Sequence, residues 1–256
     1  MDIMHLAASH LEQFILVFLR VSAIIASTPV IGNRSVPVRV KGGLSIMMTV
    51  IIAPAVAVPH YADPSLSFLI RAIGEVIIGL IIGIAAQCLF AAVQLAGQVV
   101  GFQMGFAIVN VVDPLTSAQV SVIAQFCFFV SMLIFLAVDA HHLFLYGIAE
   151  SFRIVPLMTF CMTGELTEAI IQYARNIFSV GLSIGAPVMV LLLFTSVGLG
   201  MVARTVPQIN IFIVGFPLKI GIGLVAIGMT LPFMGRVIGA AFSDFAVVLG
   251  TFLEHM

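Results

Sequence analysis

Charge is what this sequence has least of. Ten Lys and Arg residues and eleven Asp and Glu residues make up 8% of its 256 positions, against about 25% in a soluble domain. Composition alone therefore argues against a water-soluble fold. The formal net charge of −1 offers no concentrated basic surface of the kind nucleic acids require. Motifs of chemistry are missing as well. There is no HExxH, no GxSxG, no phosphate loop ending in lysine and no glycine-rich nucleotide fingerprint. Nothing sets a nucleophile beside a base, so no catalytic residue, cofactor or metal ligand is assigned and an ATPase role is excluded. Cysteine is sparse. Cys88, Cys127 and Cys161 lie far apart in apolar surroundings, as small buried hydrophobes do, and outline neither a disulfide framework nor a metal site. Asp2 and Glu12 stand where a secretion signal has its basic region, so the first apolar run, 13–33, is expected to remain as a membrane anchor.

What the chain has instead is 62% hydrophobic residues gathered into long runs. The stretches 42–62, 76–112, 114–138 and 176–203 carry no charge, and each is long enough to cross a bilayer as a helix, which takes roughly 20 residues. The alternating ten-residue pattern of a transmembrane β-barrel is absent. The predicted fold is all-α: a polytopic helical membrane protein with about six hydrophobic segments, near 12–32, 43–60, 72–100, 121–146, 175–202 and 208–234. Short connections at 34–41, 59–71 and 155–175 leave no soluble domain, so residues 1–256 read as a single membrane-embedded unit. Basic residues divide almost evenly between the two sets of loops and fix no orientation.

The segment 198–224 cannot be an ordinary span. Pro207 and Pro217 interrupt it, and Arg204 and Lys219 bracket only fourteen uncharged residues. Non-helical backbone at membrane depth is tolerated only where protein covers it or where it lines a cavity. Gln208 and Asn210 offer donors to carbonyls freed by proline. Glycines recur four residues apart at Gly79/Gly83, Gly97/Gly101/Gly105, Gly181/Gly185 and Gly235/Gly239. That spacing suits close helix packing, and glycine abundance alone would also produce some of it. Gln87, Gln94 and Gln98 share a helix face, either as interhelical glue or as the lining of a wet path. The stretch after them contains Phe106, Ile108, Val109, Asn110, Val111, Val112, Asp113, Pro114, Leu115, Thr116 and Ser117. Asp113-Pro114 is a strong turn signal between apolar arms.

Single ionisable residues invite bland readings. Arg71 and Glu75 are one helical turn apart and read as an i,i+4 pair near a membrane face. Arg20 either snorkels to an interface or meets an acidic partner. His141 and His142, just after Asp139, point to different sides of a helix and make a poor metal pair. Phe242, Phe245, Leu249 and Phe252 form one helix face near the C-terminus, which lies at an interface, packs on a neighbouring subunit or packs on its own chain.

The stretch 203–224, ARTVPQINIFIVGFPLKIGIGL, resembles the signature region of the FliR/SctT family of type III export-gate proteins, and is closer to its flagellar branch. Asp139, His141, His142 and Leu143, and Gly97–Gly105 with the Asp113-Pro114 loop, support that resemblance over the whole chain. The resemblance implies a non-enzymatic subunit of a protein-export channel in the bacterial inner membrane, at the flagellar basal body, carrying unfolded flagellar proteins. It implies bent helical hairpins stacked with FliP-like and FliQ-like subunits, an FlhB-like switch protein as a neighbour, and a chain whose residues 1–150 resemble a FliP subunit and 151–256 a FliQ subunit. It also implies that a loop plugs the closed pore, best matched by Phe106 to Ser117, and that Arg204, Pro207, Gln208, Asn210, Pro217 and Lys219 serve assembly. The alternatives are an injectisome gate subunit, or a small-solute transporter whose broken helix forms a midplane site.

Overall fold

The computed structural model describes residues 3–33, 35–57, 66–106, 121–206, 208 and 210–256. Among them there is no strand. Helix α1 spans Ile3–Ser27, α2 Val38–Ile52 with a 3-10 turn at Ala53–Ala55, and α3 Leu66–Met104. Helix α4 spans Val122–Ala137, α5 Ala140–Ile154, α6 Gly164–Thr205 and α7 Ile211–Glu254. Five of them, α1, α2, α3, α6 and α7, are long and apolar enough to cross a membrane, and α4 with α5 as one broken span makes a sixth. The chain is an all-α polytopic membrane protein.

Three boundaries differ from the sequence expectation. The region expected at 121–146 is two helices, because Asp139 adopts a left-handed conformation (φ 55°) between them. Helix α6 begins eleven residues before the expected 175, inside what reads as a connection. Glu165, Glu168 and Arg175 interrupt hydropathy but not the backbone ladder, and Glu165 in the first turn suits the positive end of the helix dipole. Helix α7 runs through Pro217 and Pro232 to Glu254. The expected break at Pro217 is therefore corrected: the helices are separate between Thr205, where α6 ends, and Ile211, where α7 begins. Pro217 is exposed, so the carbonyl that its missing N–H leaves unpaired is near the surface.

The chain forms two compact units, the first of Met1–Cys88, Asp139–Ala174 and Ser243–Met256, the second of Leu89–Val138 and Arg175–Phe242. In the first, α1 lies tight against the start of α3. A Cβ at Gly79 would stand 2.6 Å from the Arg20 carbonyl, and one at Gly83 would overlap Ser27. Apolar association between helices is weak in lipid, so such backbone approach and interhelical hydrogen bonds carry the packing. Gln13 supplies two, donating from Nε2 to the Ala53 and Val56 carbonyls at 2.7 Å each and closing the end of α2. The Tyr173 hydroxyl donates to the Ala85 carbonyl at 2.8 Å while its ring meets Phe252 edge-on. Phe144 stacks on Phe245 with centroids 5.3 Å apart. The C-terminal face of Phe245, Leu249 and Phe252 is thus buried by its own chain.

The second unit centres on Phe90, whose ring lies 5.4–5.8 Å from those of Phe128, Phe135 and Phe242. Helix α3 packs there on α4 and α6 through its small residues. A Cβ at Gly97 would stand 2.7 Å from the Ala124 Cα, and one at Gly181 2.8 Å from the Ala92 carbonyl.

Candidate functional site

Helix α3 ends by design of its sequence. Gly105 takes φ +95°, which an L-residue side chain would strain, and both reciprocal bonds of a helix-ending loop form there. The Phe106 N–H donates to the Gly101 carbonyl and the Gly105 N–H to the Phe102 carbonyl, each at 3.1 Å. The segment that follows, from Ile108 to Ser117, lies outside the described residues. What the structure places is the root of that segment. A Cβ at Gly105 would collide with the Phe216 ring, and Met104 lies 2.8 Å from the Cβ position of Gly223. Within the second unit, then, the end of the glycine strip meets the first four turns of α7. The other end restarts at Ser121, whose side chain sits where a Gly101 Cβ would go.

The second predicted group flanks the break between α6 and α7. Arg204, Gln208 and Asn210 are exposed, Pro217 is exposed and Lys219 is half-buried; Pro207 lies outside the described residues. The Asn210 carbonyl begins α7 by accepting from the Ile213 and Val214 N–H groups at 3.1 and 3.3 Å. The two helices flanking the break are poorly covered. Phe194, Val197 and Met201 on α6, and Ile213, Val225 and Met229 on α7, present their side chains outward. Only 28% of the α6 span and 22% of the α7 span is buried. The Gln87, Gln94 and Gln98 face of α3 is likewise uncovered, with Gln87 and Gln98 exposed.

The largest departure from the sequence reading is in the first unit. Glu75 does not pair with Arg71. Its Oε2 accepts from Arg20 Nε at 2.6 Å, and both side chains are fully buried. Arg20 Nη1 also donates to the Ser151 and Val155 carbonyls, at 2.8 and 2.9 Å, and its guanidinium carbon lies 4.4 Å from the Phe152 ring centroid. Glu75 Oε1 accepts from the Met158 N–H at 2.7 Å. The pair therefore ties α1 to α3, to the end of α5 and to the turn beyond it. Sequence distance hid this, although each was a lone charge in an apolar run, and a buried lone charge must find a partner. Arg71 contacts the Met158 sulfur instead, at 3.7 Å.

His141 and His142 converge instead of diverging. Their ring centroids are 4.2 Å apart, and an imidazole nitrogen of each lies 4.0 Å from Asp139 Oδ1. Both rings lie in the first turn of α5, directly after the left-handed Asp139. Among described non-glycine residues only Asp139 and Met158 have positive φ, so both of these polar clusters sit at a backbone outlier. Of the cysteines, Cys127 is buried, Cys88 half-buried and Cys161 exposed, which corrects the reading of all three as core residues.

The family model described as Bacterial export proteins, family 1 matches residues 11–245. The chain is 38% identical over 215 residues to the flagellar biosynthetic protein FliR of Bacillus subtilis (strain 168), covering 83% of each chain. It is 31% identical over 250 residues to the FliR of Escherichia coli (strain K12), covering 97% of this chain and 95% of that one. The similarity extends to the FliR of Aquifex aeolicus (strain VF5), 25% identical over 248 residues and covering 95% and 96%.

Proposed function

Because this chain belongs to the bacterial export proteins, family 1, and its relatives are flagellar biosynthetic proteins, it is a membrane-embedded flagellar export component, and we propose that it forms part of the channel itself. In this reading, unfolded flagellar subunits pass through a gate in the bacterial inner membrane at the base of the flagellum. The chain assembles there with FliP-like and FliQ-like subunits beside an FlhB-like switch protein. Residues 1–150 take the place of a FliP-like subunit and 151–256 that of a FliQ-like one.

The observation that carries the proposal is the length of α6 and α7 together with their bareness. At 42 and 44 residues they measure roughly 63 and 66 Å along the helix at 1.5 Å per residue. The hydrocarbon core is about 30 Å thick. Helices more than twice that long, apolar and barely covered over their spans, need other helices for the part that lipid does not reach. Several glycines on them add room for close neighbours: a Cβ at Gly198, Gly200, Gly221 or Gly228 would meet nothing within 4 Å. The separation of α6 from α7 is acceptable on the same grounds, since an assembly covers the helix ends. Arg204, Pro207, Gln208, Asn210, Pro217 and Lys219 are assigned to that assembly.

The segment from Phe106 to Ser117 is assigned as the plug of the closed gate. A channel wide enough for an unfolded chain leaks ions unless something apolar and movable blocks it. The residue before the segment, Gly105, is packed against Phe216 of α7. Photoactivatable residues placed at Phe194 and Met229, both strongly exposed, test the proposal in cells. FliP-like and FliQ-like chains should be captured. Capture of lipid alone, or a monomer or homodimer binding a solute after mild extraction, would replace the gate by a transporter.

A further inference from the structure

We propose that Asp139, His141 and His142 form a three-ligand site for a divalent transition-metal ion of the zinc class. One ligand atom from each lies within 4.8 Å of the other two. Zinc holds imidazole nitrogen and carboxylate oxygen at about 2.0–2.2 Å, which sets tetrahedral ligand atoms roughly 3.3 Å apart. The two separations from Asp139 Oδ1 to the imidazoles are 4.0 Å and no ligand pair exceeds 4.8 Å, so closure by about 1.5 Å or less reaches that geometry. The Asp139 and His142 side chains are 72% and 70% exposed, so they rotate freely enough to close. At 4.0 Å the carboxylate is too far from either ring for a direct hydrogen bond and near enough for one ion to sit among the three.

The donor set selects the class of ion. Two imidazoles and one carboxylate suit zinc, nickel or copper, whereas magnesium and calcium require mainly oxygen ligands. Local backbone supports the convergence. Asp139 has φ 55° and ψ 25°, a left-handed conformation that aspartate adopts more readily than most residues, and it starts α5 from this position. Its carbonyl accepts from the His142 N–H at 3.0 Å, which fixes where the second imidazole begins. The amino-terminal end of α5 repels a bare cation through the helix dipole, and the Asp139 carboxylate offsets that repulsion. Three protein ligands leave coordination positions open to water or to a group from a neighbouring chain. This site is independent of the export reading.

The test uses the tag-free full chain in mild detergent, with any subunits that co-purify, stripped with chelator and titrated with Co2+ and then Zn2+. The expected result is saturable Co2+ uptake with the visible spectrum of nitrogen-ligated cobalt, displaced by Zn2+. His142→Asn and Asp139→Asn should each weaken Zn2+ binding by at least about tenfold, the scale seen on disturbing a metal site. His255→Asn, at the His255–Glu165 contact of 3.1 Å, should leave it unchanged. The wild-type cobalt spectrum stands as evidence even if a variant purifies poorly. Absence of saturable uptake, oxygen-only ligation, or binding indifferent to His142→Asn and Asp139→Asn would overturn the proposal.

Discussion

Replacing Arg20 by Met tests whether the buried pair with Glu75 holds the first unit together. The side chain is fully buried and makes one charge-assisted bond to Glu75 and two bonds to carbonyls of the α5 end. Its loss leaves Glu75 charged in an apolar interior with the Met158 N–H as a remaining donor. Breaking one side of a buried pair costs about 3–5 kcal/mol. Glu75→Met should cost about as much, because it strands a guanidinium. Together the single substitutions sum to about 6–10 kcal/mol. The double variant Arg20→Met/Glu75→Met removes both charges and leaves the Met158 N–H and the Val155 carbonyl without the partners they had. The Ser151 carbonyl still accepts from the Val155 N–H at 3.1 Å. At about 1–3 kcal/mol for each neutral group left unsatisfied, the double variant should cost about 2–6 kcal/mol, no more than the low end of the sum of the singles. Thermal unfolding of the purified complex reads this out, with each single lowering Tm by roughly 6–20 °C on the scale of about 2–4 °C per kcal/mol. Single effects below about 1 kcal/mol, or a double variant additive within about 0.5 kcal/mol, would refute the clamp and return the pair to a passive role.

Other residues give sharper functional readouts. Gly97→Val should cost about 1–3 kcal/mol by overpacking, because the added atoms meet the Ala124 backbone rather than a flexible side chain; loss of folded chain in detergent checks it. Gly228→Leu meets open space within the chain, so it should leave folding intact and lower the yield of co-purified FliP-like and FliQ-like subunits, and an unchanged yield removes Gly228 from the interface. Lys219→Met should also reduce complex yield; normal assembly with lost export would move Lys219 to the transport path. Deleting residues 109–117 should raise ion permeability of the assembled gate and slow growth on induction, and unchanged permeability with intact assembly removes the plug assignment.

Much of the fold was legible because lipid simplifies the code. An uncharged run of adequate length must satisfy its own backbone, and the apolar bodies of α3 and α6 follow from that rule alone. Gly105 was read as a packing residue, yet its left-handed backbone ends α3. Helix ends were also illegible where charge was taken as a stop signal. Glu165, Glu168 and Arg175 lie within α6, because a helix continues past the apolar layer whenever its polar turns reach water or a partner. Pro217 failed as a break for a related reason: on an exposed face the disturbed carbonyl is not trapped in the interior. Tertiary partners were the least legible. Arg71 is the nearer cation to Glu75 in sequence, yet Arg20, 55 residues away, holds it. Local pairing is worth only a few tenths of a kcal/mol, while an unpaired buried arginine costs several, so the distant pair wins.

The same inequality explains where the chain departs from regular helix. Asp139 and Met158 are the two described non-glycine residues with positive φ. Met158 turns its N–H onto the Glu75 carboxylate at 2.7 Å. A left-handed residue costs of order 1–3 kcal/mol, comparable to a hydrogen bond to a buried charge, which contributes about 1.5–3 kcal/mol. The backbone outlier at Met158 is thus offset by the bond it makes. Asp139 makes no such bond: its carboxylate is 72% exposed and 4.0 Å from each imidazole. Aspartate enters the left-handed region more readily than most residues, and here it starts α5 with its carboxylate 4.0 Å from both imidazoles, the arrangement on which the ion site is proposed.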